Sequence, residues 1–238
     1  MHEAIEEKII IALDVGTKPE ALALAVELPG ARMFKVGMEL FTAEGPPLLR
    51  EFDRLGKKVF LDLKYHDIPN TVYGAVGSAS RHGIAMLTLH ASGGRAMMAA
   101  AATAREEAEK LGRPRPILLG VTVLTSLREA ELREIGCPDP VASQVLRLAG
   151  LAKSAGLDGI VCSPHEIEII KKQFGREFLV VTPGIRPAWA AAQDQKRIMT
   201  PAEAISKGAD YLVIGRPVTG AASPGEAFEK IVAEISGY

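Results

Sequence analysis

Asp62, Lys64 and Asp67 follow directly on the apolar run Val59-Phe60-Leu61. Residues two apart on a strand point the same way, so Asp62 and Lys64 share a face. Asp67 comes after the chain turns, and Pro69 stops a helix from running straight through. This spacing predicts one lysine between two carboxylates at the end of a buried strand. Both neighbours favour the charged ammonium. Such a lysine is a candidate acid, and a poor candidate amine nucleophile.

A second group with chemistry lies late in the chain. Thr182-Pro183-Gly184-Ile185-Arg186 follows one apolar run, and Gly215-Arg216-Pro217 follows another. Glycine lets a backbone approach an anion closely, and arginine binds phosphate in a fork. Two such pairs point to a phosphorylated ligand. Between them the stretch 188–197 holds the single Trp189 and reads as a lid, or as a loop in which Trp189 packs on a rim. Thr122, Thr125 and Ser126 are candidates to hydrogen-bond a ligand or to cap a helix. His66 is a candidate base or a surface residue, and His90 a site residue or a core histidine. Cys162 lies in an apolar run without an activating base, and His2, His82 and His165 look incidental.

The elements that position these groups alternate. Strands are expected at 9–13, 33–36, 59–63, 85–89, 117–121, 159–162, 178–181 and 211–214. Helices are expected at 18–28, 45–55, 69–82, 94–111, 141–155, 164–174 and 224–235, with a short helical piece at 128–135. Strand–helix alternation argues for a parallel sheet with right-handed crossovers. Eight strands in 238 residues favour a closed single-domain (β/α)8 TIM barrel of the α/β class over 1–238, with a doubly wound open sheet as the alternative. In a barrel Asp14, Lys35, Asp62, Lys64, His90, Thr125, Arg186 and Arg216 gather at the C-terminal rim, where active sites are built. Any strand must end in polar residues somewhere. Charges alternating within apolar runs are harder to explain that way, because inside a barrel they need partners. Lys35 and Lys64 with Asp62 and Asp67 make two positive and two negative charges that can neutralise one another.

Composition narrows the partners. Net charge is -1, from 28 basic and 29 acidic residues, and no basic run interleaves with aromatics. Nucleic acid is therefore not expected as a partner. No apolar stretch approaches the about 20 residues of a membrane span, and the N-terminal residues lack a signal-peptide core. Cys137 and Cys162 are the two cysteines, without metal-ligand spacing. Free thiols, a reducing cytoplasm and no zinc site are expected.

The segment Asp62-x-Lys64-x-x-Asp67-Ile68-Pro69-Asn70-Thr71 resembles the signature of the orotidine 5′-monophosphate decarboxylase family. So do Ala12-Leu13-Asp14, Lys35-Val36-Gly37, Leu89-His90-Ala91, Val121-Thr122-Val123-Leu124-Thr125-Ser126, Thr182-Pro183-Gly184-Ile185-Arg186, Asp194-Gln195-Lys196-Arg197 and Val213-Ile214-Gly215-Arg216-Pro217. The matches come in family order, span nearly the whole chain and look like the bacterial branch. The resemblance implies a homodimeric barrel that converts orotidine monophosphate to uridine monophosphate (UMP) and carbon dioxide, without metal or organic cofactor. It also implies roles. Lys64 would give a proton to C6, with Asp62 beside the substrate carboxylate. Lys35 would join the charge network and touch the ribose, and Asp14 would bind ribose hydroxyls. Asp67 and Thr71 would reach the ribose side of the partner subunit's site. Thr125 and Ser126 would meet the pyrimidine. Arg186, Gln195, Gly215 and Arg216 would hold phosphate, Gln195 also reaching towards the base.

Other functions could use the same residues. A related sugar-phosphate decarboxylase or aldolase would use the Asp-x-Lys-x-x-Asp group to help hold magnesium and an enediolate. Ile68-Pro69-Asn70-Thr71 and the Thr125-Ser126 segment argue against that. A Schiff-base aldolase needs a neutral lysine, which flanking carboxylates oppose. A non-catalytic nucleotide sensor would bind UMP and release no carbon dioxide.

Overall fold

Apolar runs such as Ile9-Ile10-Ile11-Ala12-Leu13 bury both of their faces, which suits strands covered on each side. The computed structural model, which describes residues 4–190 and 199–237, closes eight parallel strands into a barrel. In chain order these are β1 (Ile9–Leu13), β2 (Met33–Gly37), β3 (Lys58–Tyr65), β4 (Met86–His90), β5 (Ile117–Val121), β6 (Gly159–Val161), β7 (Leu179–Thr182) and β8 (Tyr211–Ile214). Neighbours in sequence are neighbours in the barrel, and β8 pairs with β1 to close it. The open-sheet alternative is thereby excluded.

Helices cover the outside. They are α1 (Lys18–Glu27), α2 (Met38–Glu44), α3 (Pro47–Arg54), α4 (Pro69–Ala79), α5 (Gly94–Lys110), α6 (Glu129–Glu134), α7 (Val141–Ser154), α8 (Ile167–Phe174), α9 (Pro201–Ser206), α10 (Arg216–Thr219) and α11 (Pro224–Ser236). Strand alternation separates two cores. Ile10, Met33, Phe60, Met86, Leu119 and Val213 fill the barrel interior together with Ala12 and Val181. Their neighbours of opposite phase, such as Ile9, Ile11 and Phe34, pack outward against Leu40, Phe52 and Phe228 of the helices. Burying a side chain of this size contributes about 1.5–3 kcal/mol.

Three departures from the sequence reading have local causes. The helix expected at 45–55 is α3, and α2 before it is an addition, the two being separated by Gly45 at positive φ (64°) and the prolines that follow it. The helices α9 and α10 are additions. Thr200-Pro201-Ala202-Glu203 opens α9 with a reciprocal capping box, the device that Thr17 and Glu20 form at α1. Finally, β3 runs on to Tyr65 through a break in its pairing with β4. Leu61 pairs with Leu87 and Tyr65 with Leu89, so β3 uses four steps where β4 uses two.

Candidate active site

Lys64 stands in that break. It is the one non-glycine residue with positive φ (50°) among the described residues. A left-handed conformation costs an L-residue about 1–2 kcal/mol, so its surroundings must hold it there. Strand phase alone therefore does not account for how Asp62 and Lys64 meet. Asp62 points into the barrel mouth by alternation from Phe60, and the bulge turns Lys64 back onto it.

Four side chains then form a row of alternating charge. Asp14, just past β1, lies 3.4 Å from Lys35 Nζ. Lys35, on β2, lies 3.7 Å from Asp62. Lys64 Nζ donates to both oxygens of the Asp62 carboxylate at 3.0 Å. Asp62 is 13% exposed, Lys64 24% and Asp14 65%. The outer Asp14–Lys35 leg thus contributes at most about 1 kcal/mol in water. Asp62 matters more, because its loss would leave two half-buried ammonium groups facing each other, at a cost of about 3 kcal/mol or more.

The fourth member of this row corrects an expectation. Asp67 does not flank Lys64 in its own chain. It lies beyond the bulge in the exposed approach to α4, where its Oδ1 accepts from the Ile68 N–H at 2.7 Å. Asp14, paired with Lys35 at the other end of the row, supplies the second negative charge, so the balance of two positive and two negative charges is kept. Thr71 is exposed on the first turn of α4.

Thr88 is a member that the sequence reading misses. Its hydroxyl donates to Asp62 Oδ1 at 2.8 Å and accepts from the Lys64 N–H at 2.9 Å. The available signal is a polar residue in Met86-Leu87-Thr88-Leu89-His90, in phase with His90, but threonine is also an ordinary strand former. His90 ends β4 with its ring 5.5 Å from that of His66. Burial pushes the His90 pKa down, and the positive fields of His66 and Lys64 add to this, with Asp62 opposing.

The other half of the rim is built differently. Thr122 is buried and donates to the Val161 carbonyl, so its hydroxyl braces β5 against β6 and is not presented to a ligand. Thr125 and Ser126 are exposed, in a turn closed by Leu127 N–H on the Leu124 carbonyl. Neither caps a helix; at the start of α6 the Glu131 carboxylate accepts from the Arg128 N–H instead. Both line a cleft of about 1080 Å³ that also meets Ser163 and Gly184. Asp62 and Lys64 do not line this cleft, and the chemistry is placed at the charged row because the reactive groups are there.

Gly184 adopts φ 77° after β7, which favours glycine. A Cβ on Gly215 would come within 3.3 Å of Asp14 and 3.4 Å of Ala12, so the turn after β8 packs against the charged row. Arg186 is buried, and its N–H bonds to the Met199 carbonyl, pinning the two ends of the long β7–α9 connection. Arg216 is exposed at the start of α10. Gln195 lies outside the described residues. Trp189 sits beside α11, with Lys230 Nζ 6.0 Å from its ring centre. Cys162 is buried, and burial drives its thiol pKa well up. No group of three or more His, Cys, Asp or Glu side chains among the described residues is placed to hold a metal ion. No helix among them is long and apolar enough to cross a membrane.

Known proteins match this arrangement over most of its length. A family model described as "Orotidine 5'-phosphate decarboxylase / HUMPS family" matches residues 7–231. The orotidine 5'-phosphate decarboxylase of Moorella thermoacetica is 54% identical over 233 residues, covering 97% of this chain and 92% of that protein. That of Vibrio cholerae is 52% identical over 227 residues, covering 95% and 97%. The crystal structure of orotidine 5'-phosphate decarboxylase from Lactobacillus acidophilus superposes with a TM-score of 0.86 at 39% identity, covering 96% of this chain and 99% of that one.

Proposed function

The chain belongs to the orotidine 5'-phosphate decarboxylase / HUMPS family, and from that premise we propose that it converts orotidine 5'-monophosphate to UMP and carbon dioxide. This is the closing step of UMP synthesis. The observation that carries the reading is the row Asp14–Lys35–Asp62–Lys64, fixed at the mouth of a closed barrel.

Loss of carbon dioxide from C6 of the pyrimidine leaves an sp² carbanion with little delocalisation. A fixed ammonium stabilises that charge and then protonates it. In a water-poor pocket such a group acts strongly and needs no reorganisation during reaction. Lys64 is assigned this role, with Asp62 aiming it and lying beside the leaving carboxylate. Repulsion between those two carboxylates need not contribute. Lys35 and Asp14 take the ribose, and Thr125 and Ser126 the pyrimidine. Arg186, Gln195, Gly215 and Arg216 take the 5′-phosphate. Phosphate binding far from C6 stabilises a closed site and so raises the rate at the reacting carbon. The reaction as assigned uses no metal or organic cofactor.

We read residues 1–238 as one (β/α)8 domain, and the working unit as a cytoplasmic homodimer with shared sites. Asp67 and Thr71 are placed in the partner's site. The exposed Asp67, bonded only to its neighbour's N–H among the contacts described, supports this, as does Ile68 beside it at 66% exposure.

The family description also covers a second chemistry. A magnesium-dependent sugar-phosphate reaction would need the oxygens of Asp62 for the cation, and these are bonded to Lys64. One experiment separates the readings. Chelator-treated protein mixed with orotidine monophosphate should bleach its absorbance at full rate. No turnover, or turnover only after magnesium is restored, would reject the proposal.

A further inference from the structure

Three buried threonine hydroxyls lie around the barrel mouth, on Thr88, Thr122 and Thr182. Two of them stitch strands together. Thr122 donates to the Val161 carbonyl at 3.0 Å, and Thr182 to the Cys162 carbonyl at 2.7 Å. Thr88 is fully buried and bonds differently. Its proton goes to the Asp62 carboxylate, and its oxygen receives the Lys64 N–H. The bonded Asp62 oxygen, Oδ1, also accepts from Lys64 Nζ. One hydroxyl therefore holds both the backbone of the lysine and the carboxylate that orients its ammonium.

These contacts fall where regular pairing ends. Between Leu61 and Tyr65 the β3–β4 register is broken, and Lys64 is held left-handed. At that break the Lys64 N–H is bonded to the Thr88 side chain. Hydroxyls can donate and accept at once, which valine cannot do and serine can.

We propose that Thr88 is a positioning residue for decarboxylation, tying the Lys64 bulge to Asp62 so that the ammonium is held at the reacting carbon. This rests on the decarboxylase reading above. Thr88 acts through Lys64 and Asp62 and carries no chemical step itself. Misplacing a reacting group by about 1 Å can cost on the order of 100-fold in rate.

The test compares Thr88→Val, which keeps the shape and removes both bonds, with Thr88→Ser, which keeps the hydroxyl. Thr122→Val, at a hydroxyl that only braces strands, is the control. Turnover of orotidine monophosphate, KM, UMP affinity and melting temperature are measured for each. Thr88→Val should lower kcat by about 10- to 100-fold while KM and UMP affinity change little. Thr88→Ser should restore kcat, and Thr122→Val should leave kcat unchanged. If Thr88→Val does not fold, Thr88→Ala carries the same comparison with a smaller side chain. Wild-type kcat in Thr88→Val, or equal losses in the Val and Ser variants, overturns the role of Thr88 while the decarboxylase reading stands. No turnover by the wild-type protein overturns both.

Discussion

The two halves of the barrel mouth solve different problems. Over β1–β4, charged side chains bond to one another, from Asp14 through Lys35 and Asp62 to Lys64, with Thr88 beneath them. Over β5–β8, the buried threonines bond to main-chain carbonyls, and Thr125, Ser126 and Gly184 face a cleft of about 1080 Å³. One half is set by its own charge pairs, and the other leaves two hydroxyls and a glycine open to a cleft. That division suits a reaction whose charge develops at a single carbon. The groups meeting that charge gain by being fixed in advance, whereas the remote contacts supply binding energy.

Breaking the charged half should have the largest effect. Lys64→Ala should lower kcat by about 10³-fold or more, with UMP binding still measurable by calorimetry. Turnover near the wild-type rate would remove Lys64 as the acid. A mixed experiment sharpens the place of Asp67. If sites are shared as proposed, heterodimers of one Lys64→Ala and one Asp67→Ala subunit contain one intact site, so turnover should return to about half the wild-type rate per dimer. Proven heterodimers that stay inactive would argue against shared sites.

Changes in the open half should fall on binding. Arg216→Ala should weaken nucleotides carrying the 5′-phosphate by about 10- to 100-fold, the worth of a charged hydrogen bond, and leave the bare nucleoside almost unaffected. Equal losses for both would take Arg216 out of the phosphate site. Smaller still, Thr122→Val should cost about 1 kcal/mol, a fall in melting temperature of about 2–4 °C, with kcat intact. His90 gives the gentlest contrast. Its pKa is lowered in the fold by burial and nearby positive charge, so the unfolded chain binds the proton first. Stability should therefore be complete above the ordinary value of 6.5 and decline as pH falls through the folded pKa. His90→Asn should flatten that decline in denaturant titrations at successive pH values.

Much of this was legible in the residues. Strands buried on both faces read as apolar runs, and this located all eight. Asp14, Lys35, Asp62 and Lys64 stood out because charge inside such runs needs a partner. The features that the residues do not show lack a strong local signal. Thr88 looks like any strand threonine until its two bonds are seen. The bulge at Lys64 cannot be read from spacing, and spacing alone puts Asp67 beside Lys64 in the same chain. The helices α9 and α10, of six and four residues, are too short for periodicity to reveal. Of the phosphate group, Gln195 falls outside the described residues, so only Arg186, Gly215 and Arg216 have a described place.

The proposed chemistry is delivery of a proton to C6 by a preorganised ammonium. The group that delivers a proton there must also be able to remove one, so the wild-type protein should exchange the C6 hydrogen of UMP for deuterium in heavy water, read by NMR. Lys64→Ala, loaded with UMP to the same occupancy, should leave that hydrogen in place. Exchange at equal rates in the two proteins would contradict the account.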